Sequence, residues 1–370
     1  MSSKPTIVLP QHDSREGFTL VELLVSILVV VIITLIASQL MNSASAIART
    51  GHKHFDTDAE ARVVLDRMAL DFAQMVKRTD VDYYVKQKVY KGHGNGHGCG
   101  RGRNNDLGSD QIAFLSEVPG YYPSSYGGPI SLVAYRVNEA NNSGDRYGGL
   151  ERLAKGLLWN GVSNNTTQNS PYPIVFATGQ IDASCGGNCP CGGTIGPWAV
   201  TGNNGWAAAI CNDNQSGNPD YEVIGPNVFR FEYYYLLKNG RVTDWPWDRF
   251  DYPTQQTIYN PVKLGLSQIR AIAVSIAVID PASRALVQQA AAANSTYGDI
   301  LDLAAELPDF KNSCGRGNGQ RTIGSVEFQW KGVIESMAQT GQSPDGGKLF
   351  PPEAAKGIRV YNRYFDLKIW

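Results

Sequence analysis

A long apolar run near the start of the chain restricts the fold more than any other feature. Between Phe18 and Met41 the only formally charged side chain is that of Glu22. At a rise of about 1.5 Å per residue, a helix of about 23 residues spans the hydrocarbon core of a bilayer. A carboxylate in such a helix costs about 3 kcal/mol at the centre and less near the interface, so Glu22 is a candidate functional residue.

Cleavage of the chain just before the apolar run would create a charged group that can pair with Glu22. Cleavage after Gly17 would leave the α-amino group of Phe18 one helical turn before Glu22. The amine of one copy could then neutralise the carboxylate of a neighbouring copy, and such a pair is strong where the dielectric is low. The spacing therefore favours a subunit that polymerises through its membrane helix.

Residues 17–24, Gly-Phe-Thr-Leu-Val-Glu-Leu-Leu, resemble the processing site of type IV pilins and type II secretion pseudopilins. The resemblance implies that a prepilin peptidase cleaves between Gly17 and Phe18, that an N-methyltransferase then methylates Phe18, and that Glu22 guides assembly. The alternative interpretation is an ordinary signal anchor that carries a glutamate. In that case the chain is an extracytoplasmic binding protein that does not polymerise.

Four segments follow from this interpretation. They are a leader peptide at 1–17, a transmembrane and filament-core helix at 18–41, an amphipathic continuation at 42–80, and an extracytoplasmic β-rich domain at 81–370. Lys4 and Arg15 precede the apolar run and favour an N-terminus on the inside of the membrane. The expected location is the bacterial inner membrane, with a single pass and the bulk of the chain in the periplasm, and association with a filament after assembly.

The N-terminal helix is predicted to continue beyond the membrane segment. Apolar residues recur at spacings of three and four along one face, which indicates a helix packed against a core. They are Val64, Leu65, Met68, Phe72, Met75 and Val76. Asp58 with Arg62, and Arg67 with Asp71, are pairs four residues apart, each worth only tenths of a kcal/mol.

The rest of the chain predicts strands separated by loops. The predicted strands are 112–115, 130–137, 174–176, 228–237, 241–243, 269–279 and 357–369. Asn239-Gly240 predicts a two-residue hairpin turn after the fourth of them. Pro281 begins a predicted helix that continues to about Ala293. The fold class is therefore α+β and pilin-like: a long N-terminal helix packed on antiparallel sheet, with long loops.

Segments in the second half of the chain resemble a narrower group of proteins within these families. The aromatic stretch 229–235, a hairpin leading to Trp245, and the segment 266–272 are similar to the J-type minor pseudopilin of type II secretion. Ser267 stands where that family has proline. Residues 59–84 and 359–365 also resemble pilin-like proteins of Verru_Chthon cassettes. The J-type resemblance implies a minor subunit near the filament tip. Segments near 92–108, 160–220 and 281–345 are expected insertions.

Partners follow from these resemblances and from charge. The expected partners are other pilin or pseudopilin subunits, the prepilin peptidase, the N-methyltransferase, inner-membrane lipid and, as a candidate, secreted cargo. A minor pilin of a surface type IV pilus, used in adhesion, motility or DNA uptake, is the rival within the same class. The formal net charge of −1, with no stripe of lysine and arginine, predicts no nucleic-acid partner.

Six cysteines suggest disulfides in an oxidising compartment. They are Cys99, Cys185, Cys189, Cys191, Cys211 and Cys314. Four of them lie close together, so a zinc site is an alternative, as are free thiols. The Cys189-Pro190-Cys191 spacing is one residue shorter than the usual zinc knuckle. Pairing stays open, because six cysteines allow about fifteen connectivities.

No motif predicts catalysis, a cofactor or a metal. The sequence lacks a Gly-x-Ser-x-Gly elbow and a His-Glu-x-x-His pair, so the chain is expected not to be an enzyme. The glycine- and histidine-rich tract 92–100 is interpreted as surface chain. Acidic residues Asp299, Asp302, Glu306 and Asp309 are interpreted as a solvated helix face and its end. Aromatic residues near 121–126 and 245–252 are either candidate contacts with other subunits or caps on the domain's own core.

Overall fold

A computed structural model describes residues 19–76, 87–88, 109–120, 130–138, 144–157, 221–243, 269–310, 322–344 and 346–367. The chain divides into two compact units, residues 1–53 and 54–370. The N-terminal apolar helix and two antiparallel sheets confirm the predicted α+β class and are consistent with a pilin-like fold.

Helix α1 (Leu20–Ala73) contributes residues to both units. It continues through Gly51, where an added Cβ would meet no atom within 4 Å. In the first unit the large apolar side chains from Leu20 to Met41 are exposed. Alone, this unit therefore has an apolar surface without a core of its own, as expected of a segment that contacts lipid or other helices.

The second unit contains two antiparallel sheets. The first has five strands in sequence order: β1 (Gln87–Lys88), β2 (Asp110–Ser116), β3 (Ile130–Val137), β4 (Leu150–Leu157) and β5 (Tyr221–Gly225). The strands predicted at 112–115 and 130–137 are confirmed as β2 and β3. Strands β4 and β5 were not predicted. The strand predicted at 174–176 lies outside the described residues.

The second sheet has the strand order β7-β6-β8-β9. Its strands are β6 (Val228–Leu237), β7 (Val242–Thr243), β8 (Ile269–Ile279) and β9 (Ile358–Asp366). All four correspond to predicted strands, although β9 is shorter at both ends than predicted. Strand β8 lies between β6 and β9 and is buried at every residue except Arg270, as expected of a strand packed on both faces.

The hairpin between β6 and β7 was predicted in the right place with the wrong loop length. The amide of Leu237 donates to the carbonyl of Arg241, so the loop holds three residues rather than two. Gly240, the last of them, has φ +83°, the left-handed conformation that three-residue hairpin loops place there. Within the same loop, the side-chain oxygen of Asn239 accepts a hydrogen bond from the amide of Arg241.

The second half of α1 packs against both sheets. The predicted apolar stripe is buried at Val64, Leu65, Met68, Phe72 and Met75, and Val76 is half-buried. The ring centroid of Phe72 lies 5.0 Å from that of Phe114 in β2 and 5.1 Å from that of Phe365 in β9. One helical side chain therefore joins the two sheets in a common core.

Among the described residues after β8 there are four helices, within and beyond the segment predicted as an insertion. They are α2 (Pro281–Ala293), α3 (Ile300–Glu306), α4 (Ser325–Thr340) and α5 (Pro352–Ala355). Helix α2 was predicted with these bounds, and Asp280 caps it by accepting from the amides of Ala282 and Ser283. Helix α3 lies where the acidic residues Asp299, Asp302 and Glu306 were interpreted as a helix face, whereas helices α4 and α5 were not predicted.

The close approach between α2 and the turn before β9 requires a glycine. A Cβ on Gly357 would lie 2.0 Å from Oδ2 of Asp280 and 2.2 Å from Oγ of Ser283. We expect Gly357→Ala to lower the free energy of unfolding by about 1–3 kcal/mol, as overpacking does. Chemical denaturation of the full chain in detergent measures this change.

Gly332, in α4, is the matched control. A Cβ there meets no atom within 4 Å, so Gly332→Ala should stabilise the protein by about 0.5–1 kcal/mol through its better helix propensity. Equal stability of Gly357→Ala and the unmodified protein would contradict the close packing.

Candidate assembly site

The residues singled out at the start of the chain lie at the beginning of α1. Gly17 and Phe18 are outside the described residues, which start at Thr19. Glu22 is in the first helical turn and is exposed. The structure therefore shows the surroundings of the predicted assembly glutamate and leaves cleavage and methylation as predictions.

Glu22 is hydrogen-bonded within its own helix. Its Oε2 accepts from the backbone amide of Thr19 and from the Thr19 hydroxyl, both at 2.9 Å. In return, Oγ1 of Thr19 lies 3.3 Å from the backbone nitrogen of Glu22, which donates to it. This reciprocal arrangement is a capping box, and it satisfies amide groups that the start of a helix otherwise leaves unpaired. The positive end of the helix dipole also favours a carboxylate there.

The capping box could have been found from the sequence. Thr19-x-x-Glu22 fits the Ser/Thr-x-x-Glu pattern before an apolar run. It was missed because Glu22 was considered only as a partner for another subunit. The structure adds that this carboxylate already has two donors before any partner arrives.

The helix that follows is apolar and long enough to cross a membrane. Of the residues described, only the segment Leu20–Ser45 has this length and composition, and none of its most apolar window is buried inside the protein. Two of its hydroxyl groups donate within the helix: that of Ser26 to the carbonyl of Glu22 at 2.7 Å, and that of Thr34 to the carbonyl of Val30 at 2.9 Å. Glu22 is thus the sole ionisable side chain in that segment.

A buried charge cluster holds the second half of α1 to the first sheet. Asp71 of α1 is 0% exposed, and Arg152 of β4 is 2% exposed. Two hydrogen bonds join them: Nε of Arg152 to Oδ2 at 2.6 Å, and Nη2 to Oδ1 at 2.9 Å. The hydroxyl of Tyr135 in β3 also donates to Asp71, and Nη2 of Arg67 lies 3.5 Å from Oδ1. The predicted Arg67–Asp71 pair is therefore a minor part of a larger buried network.

The protonation of this cluster follows from its burial. Burial lowers the pKa of Arg152, but the hydrogen bonds and the charge of Asp71 raise it by more, so the guanidinium stays charged. Burial and the negative charge of Asp71 raise the pKa of Tyr135 well above its ordinary value, so the phenol stays a donor. The cluster is an ion pair supported by a neutral hydrogen-bond donor.

Other acidic residues of α1 make similar contacts at the edge of the core. Glu60 accepts from the amide and the side chain of Asn227, at 2.7 and 2.9 Å. Tyr361 and Arg363 of β9 donate to Asp58 and Asp66. In each contact the helix supplies the carboxylate, and the donor comes from β9 or from the turn between β5 and β6, which fixes the register of the helix.

A second buried network lies between β6 and the helices after β8. Arg230 is fully buried and pairs with Asp309, and its Nη2 lies 3.5 Å from Oε2 of Glu232. Its guanidinium carbon lies 5.7 Å from the ring centroid of Trp330 in α4. The other oxygen of Glu232 accepts from the amide of Phe310 at 2.9 Å. Burial lowers the pKa of Arg230, and the charges of Asp309 and Glu232 raise it by more.

These contacts correct the interpretation of the acidic residues near 299–309. Asp309 is buried against Arg230 and does not lie on a solvated face. Asp299 caps α3 and forms a capping box with Asp302. The hydroxyl of Tyr147 also donates to Asp299 at 2.6 Å. The interpretation of Asp309 was wrong because its partner, Arg230, is distant in sequence.

Several predicted features lie outside the described residues. They are all six cysteines, the tract 92–100, the insertions at 92–108 and 160–220, and the aromatic groups at 121–126 and 245–252. Disulfide formation therefore stays a prediction. Within the described ranges, no group of three or more histidine, cysteine, aspartate or glutamate side chains is arranged to hold a metal ion.

Comparison with known families agrees with the N-terminal geometry. The model of the prokaryotic N-terminal methylation motif matches residues 13–38, a range that contains Gly17, Phe18 and Glu22. The search of curated proteins gives no match. The motif supports a type IV pilin- or pseudopilin-type subunit and suggests a structural role. It implies processing by a prepilin peptidase and assembly with other pilin subunits, and with the apolar helix it supports a single-pass membrane anchor.

Proposed function

We propose that the chain is a non-enzymatic minor pilin or pseudopilin of an envelope-spanning, type II secretion-like filament. It is cleaved after Gly17, methylated at Phe18 and assembled through Glu22. The observation that carries the proposal is the coincidence of three features: the methylation motif at 13–38, an exposed carboxylate in the first helical turn, and an exposed apolar helix of membrane length.

The proposed cycle begins with insertion into the inner membrane with the leader inside. Residues 20–45, at about 1.5 Å per residue, give a helix of about 39 Å, which exceeds the thickness of the hydrocarbon core. Cleavage removes residues 1–17 and creates the amine of Phe18. The exposed apolar helix then leaves lipid for a bundle of similar helices, where its side chains again contact apolar groups.

Glu22 is proposed to pair with the amine of a neighbouring subunit in that bundle. Two unit charges about 4 Å apart interact by about 4 kcal/mol at an effective dielectric constant near 20. The gain exceeds the desolvation cost only if both ions leave water together, which favours pairing during helix docking. A neutral or unprocessed N-terminus would leave Glu22 without this partner.

A minor position near the filament tip is supported by the size of the second unit. Residues 54–370 form one unit with two sheets and additional helices. In the proposed filament, a single N-terminal helix would anchor this whole unit. Such bulk is difficult to repeat at every position of a closely wound shaft. The J-type resemblance of 229–235 and 266–272 points the same way. The domain is proposed to lie in the periplasm.

Peptidase-deficient cells test the proposed function. In cells with a prepilin peptidase we expect the chain at its shortened mass, and recovered with sheared filaments. Without the peptidase it should stay in the membrane at full length. Filament recovery that does not depend on the peptidase would contradict the proposal, as would a chain that never enters filaments, since a simple signal anchor behaves that way.

A further inference from the structure

Strand β9 is the last in the order β7-β6-β8-β9, so it has a described neighbour on one side only. Two hydrogen bonds at its ends fix the direction of its backbone groups. The amide of Leu367 donates to the carbonyl of Arg270, and the amide of Asp280 donates to the carbonyl of Gly357. The pairing of β8 with β9 keeps one register between these bonds. Odd-numbered residues of β9 therefore turn their N–H and C=O groups towards β8, and even-numbered residues turn theirs away.

The outward backbone groups of β9 have no backbone partner among the described residues. They belong to Ile358, Val360, Asn362, Tyr364 and Asp366, of which the last three are exposed. Edge strands are usually protected by short length, lysine, proline or a bulge. Strand β9 has nine residues, contains no lysine or proline, and pairs with β8 without a bulge. Its outer edge can therefore accept a further strand.

Helix α1 borders this edge on one face of the sheet. Tyr361 and Arg363 of β9 donate to Asp58 and Asp66 of α1. Arg62 lies about one turn from each of these aspartates, on the same face of the helix. It is exposed and makes no ion pair with a residue that the structure describes. The α1 side of the edge therefore presents an unpaired cation.

Helix α4 borders the opposite face of the sheet. The hydroxyl of Tyr364 lies 3.3 Å from that of Tyr234 in β6. The hydroxyl of Tyr234 accepts from the amide of Gly324, at the start of α4, also at 3.3 Å. The side chain of Ile323, just before the helix, is 52% exposed. The start of α4 thus lies close to β9 and has an apolar side chain on its surface.

Phe328 lies on the side of α4 that faces the edge. Trp330 lies beside Arg230 of β6, and Glu327 accepts from Ser275 of β8 at 2.7 Å. Because successive helical residues are about 100° apart, the sheet order β6-β8-β9 places Phe328 on the β9 side. Its side chain is 80% exposed. The α4 side of the edge therefore presents an apolar aromatic group.

We propose that the outer edge of β9 binds an extended segment of a neighbouring filament subunit, which adds a strand to the second sheet. Side chains of an added strand alternate between the two faces of the sheet. Arg62 favours acidic side chains on the α1 face, and Phe328 and Tyr364 favour apolar side chains on the α4 face. The segment therefore alternates acidic and apolar residues. This inference rests on the proposed function, because the partner is a subunit of the same filament.

The direction of β9 argues against antiparallel pairing with the β9 of a second copy. Contacts between β9 and α1 follow the same order along both elements: Tyr361 with Asp58, Arg363 with Asp66, and Phe365 with Phe72. Strand β9 therefore runs in the direction of the second half of α1. Antiparallel pairing of two β9 strands about a twofold axis would make these helices antiparallel. Subunits anchored in one membrane hold the helices parallel, so the added strand comes from a different segment.

Hydrogen exchange at single amides tests the strand addition. We compare the full chain extracted into detergent with the chain in sheared filaments. The outward amides of Val360, Asn362 and Tyr364 should exchange rapidly in detergent and at least about tenfold more slowly in filaments. The amides of Tyr361 and Arg363 point towards β8 and should be protected in both samples. Rapid exchange of the outward amides in filaments overturns the inference.

Asn362→Pro removes one outward N–H and keeps the hydrogen bonds to β8, a change that edge strands tolerate. Asn362→Ala keeps the N–H and is the matched control. The measurement is the ratio of filament-incorporated chain to processed chain in the membrane. Proline should lower this ratio about fivefold, the effect of one lost hydrogen bond, and alanine should not. Equal ratios for the two variants, with unchanged unfolding in detergent, overturn the inference.

Two exposed side chains test the chemistry of the partner without disturbing the fold. Arg62→Glu and Phe328→Ser should each lower the same ratio about tenfold, through charge repulsion and lost apolar contact. Arg62→Lys and Phe328→Leu keep the charge and the apolar surface, so they should incorporate as the unmodified chain does. Normal incorporation of both Arg62→Glu and Phe328→Ser overturns the inference.

Photo-crosslinking in filaments identifies the source of the added strand. A photoreactive phenylalanine analogue at position 364 places the crosslinker at the exposed edge. Mass spectrometry should find the adduct on a different filament subunit, in a segment that alternates acidic and apolar residues. An adduct on β9 of a second copy, or on a protein that is not a filament subunit, overturns the inference.

Failure of the inference and failure of the proposed function give different results. If the chain enters filaments after cleavage while its outward β9 amides still exchange rapidly, the inference alone fails. If the chain is not processed after Gly17, or never enters filaments, the proposed function fails.

Discussion

Glu22→Ala is expected to reduce incorporation into filaments about 100-fold or more, while the protein remains in the membrane at its usual level. The proposed charge pair with the neighbouring amine would be worth about 4 kcal/mol in a partly desolvated site, or about a thousandfold, and desolvation would offset part of that. Membrane levels should hold, because Glu22 is exposed and its described hydrogen bonds are all within its own helix. Quantitative immunoblots of membrane and sheared-filament fractions measure both quantities.

Glu22→Gln is the matched control for this prediction. Glutamine also serves in a capping box, so it keeps the start of α1 and removes the charge. If charge pairing drives assembly, the glutamine variant should fail to incorporate as alanine does. Normal incorporation of the glutamine variant would show that Glu22 acts by capping, and it would contradict the proposed pairing.

Asp71→Ala is expected to lower the free energy of unfolding by about 3–5 kcal/mol, the cost of breaking a buried ion pair from one side. The substitution leaves the guanidinium of Arg152 buried with its two bonds to Asp71 lost, and it removes the acceptor of Tyr135. Because typical domains are stable by about 5–15 kcal/mol, this loss brings the second unit close to unfolding at physiological temperature. Denaturant titration of the full chain in detergent measures it.

Two further variants test the same explanation. Asp66 lies on the same helix and pairs with Arg363, but its side chain is 59% exposed, so Asp66→Ala should cost less than about 1 kcal/mol. Replacing Asp71 and Arg152 together, with leucine and methionine, should cost much less than Asp71→Ala, because no unpaired charge is left buried. Equal losses for Asp66→Ala and Asp71→Ala would contradict the burial argument.

The helix α1 and the central strands could be predicted because their signals are local. The spacing of Val64, Met68 and Phe72 has the period of a helix, and in β8 only Arg270 and Ser275 interrupt the small and β-branched residues. Such patterns arise where one face of a helix, or both faces of a strand, are buried. In the structure these apolar residues of α1 and β8 are buried. Helix α4 carries the same kind of signal, since Val326, Trp330 and Met337 are buried on one side of it, but that periodicity was not used.

The charge clusters could not be predicted from spacing. Asp71 and Arg152 are 81 positions apart, and Arg230 and Asp309 are 79 apart. A pattern of alternating aromatic and charged residues in β6 indicates one buried and one solvated face. The helices after β8 cover the second face, so Arg230 and Glu232 are buried with partners from a distant segment. Tertiary packing, rather than local preference, decided their environment.

The sequence was enough to single out Glu22, whereas its role in assembly stays a proposal. Glu22 was identified from a single charge in an apolar run, a signal that needs no tertiary contact. Its hydrogen bonds with Thr19 are also local, and the Thr-x-x-Glu pattern predicts them. The structure shows that this carboxylate caps the helix, and the proposed function assigns intersubunit pairing to the same carboxylate.

Mass spectrometry of the N-terminal peptide from chain extracted from membranes tests the central claim most directly. The account predicts a chain that begins at Phe18 and carries one methyl group on its α-amine. A chain that begins at Met1, begins beyond the apolar run, or begins at an unmethylated Phe18 would contradict it.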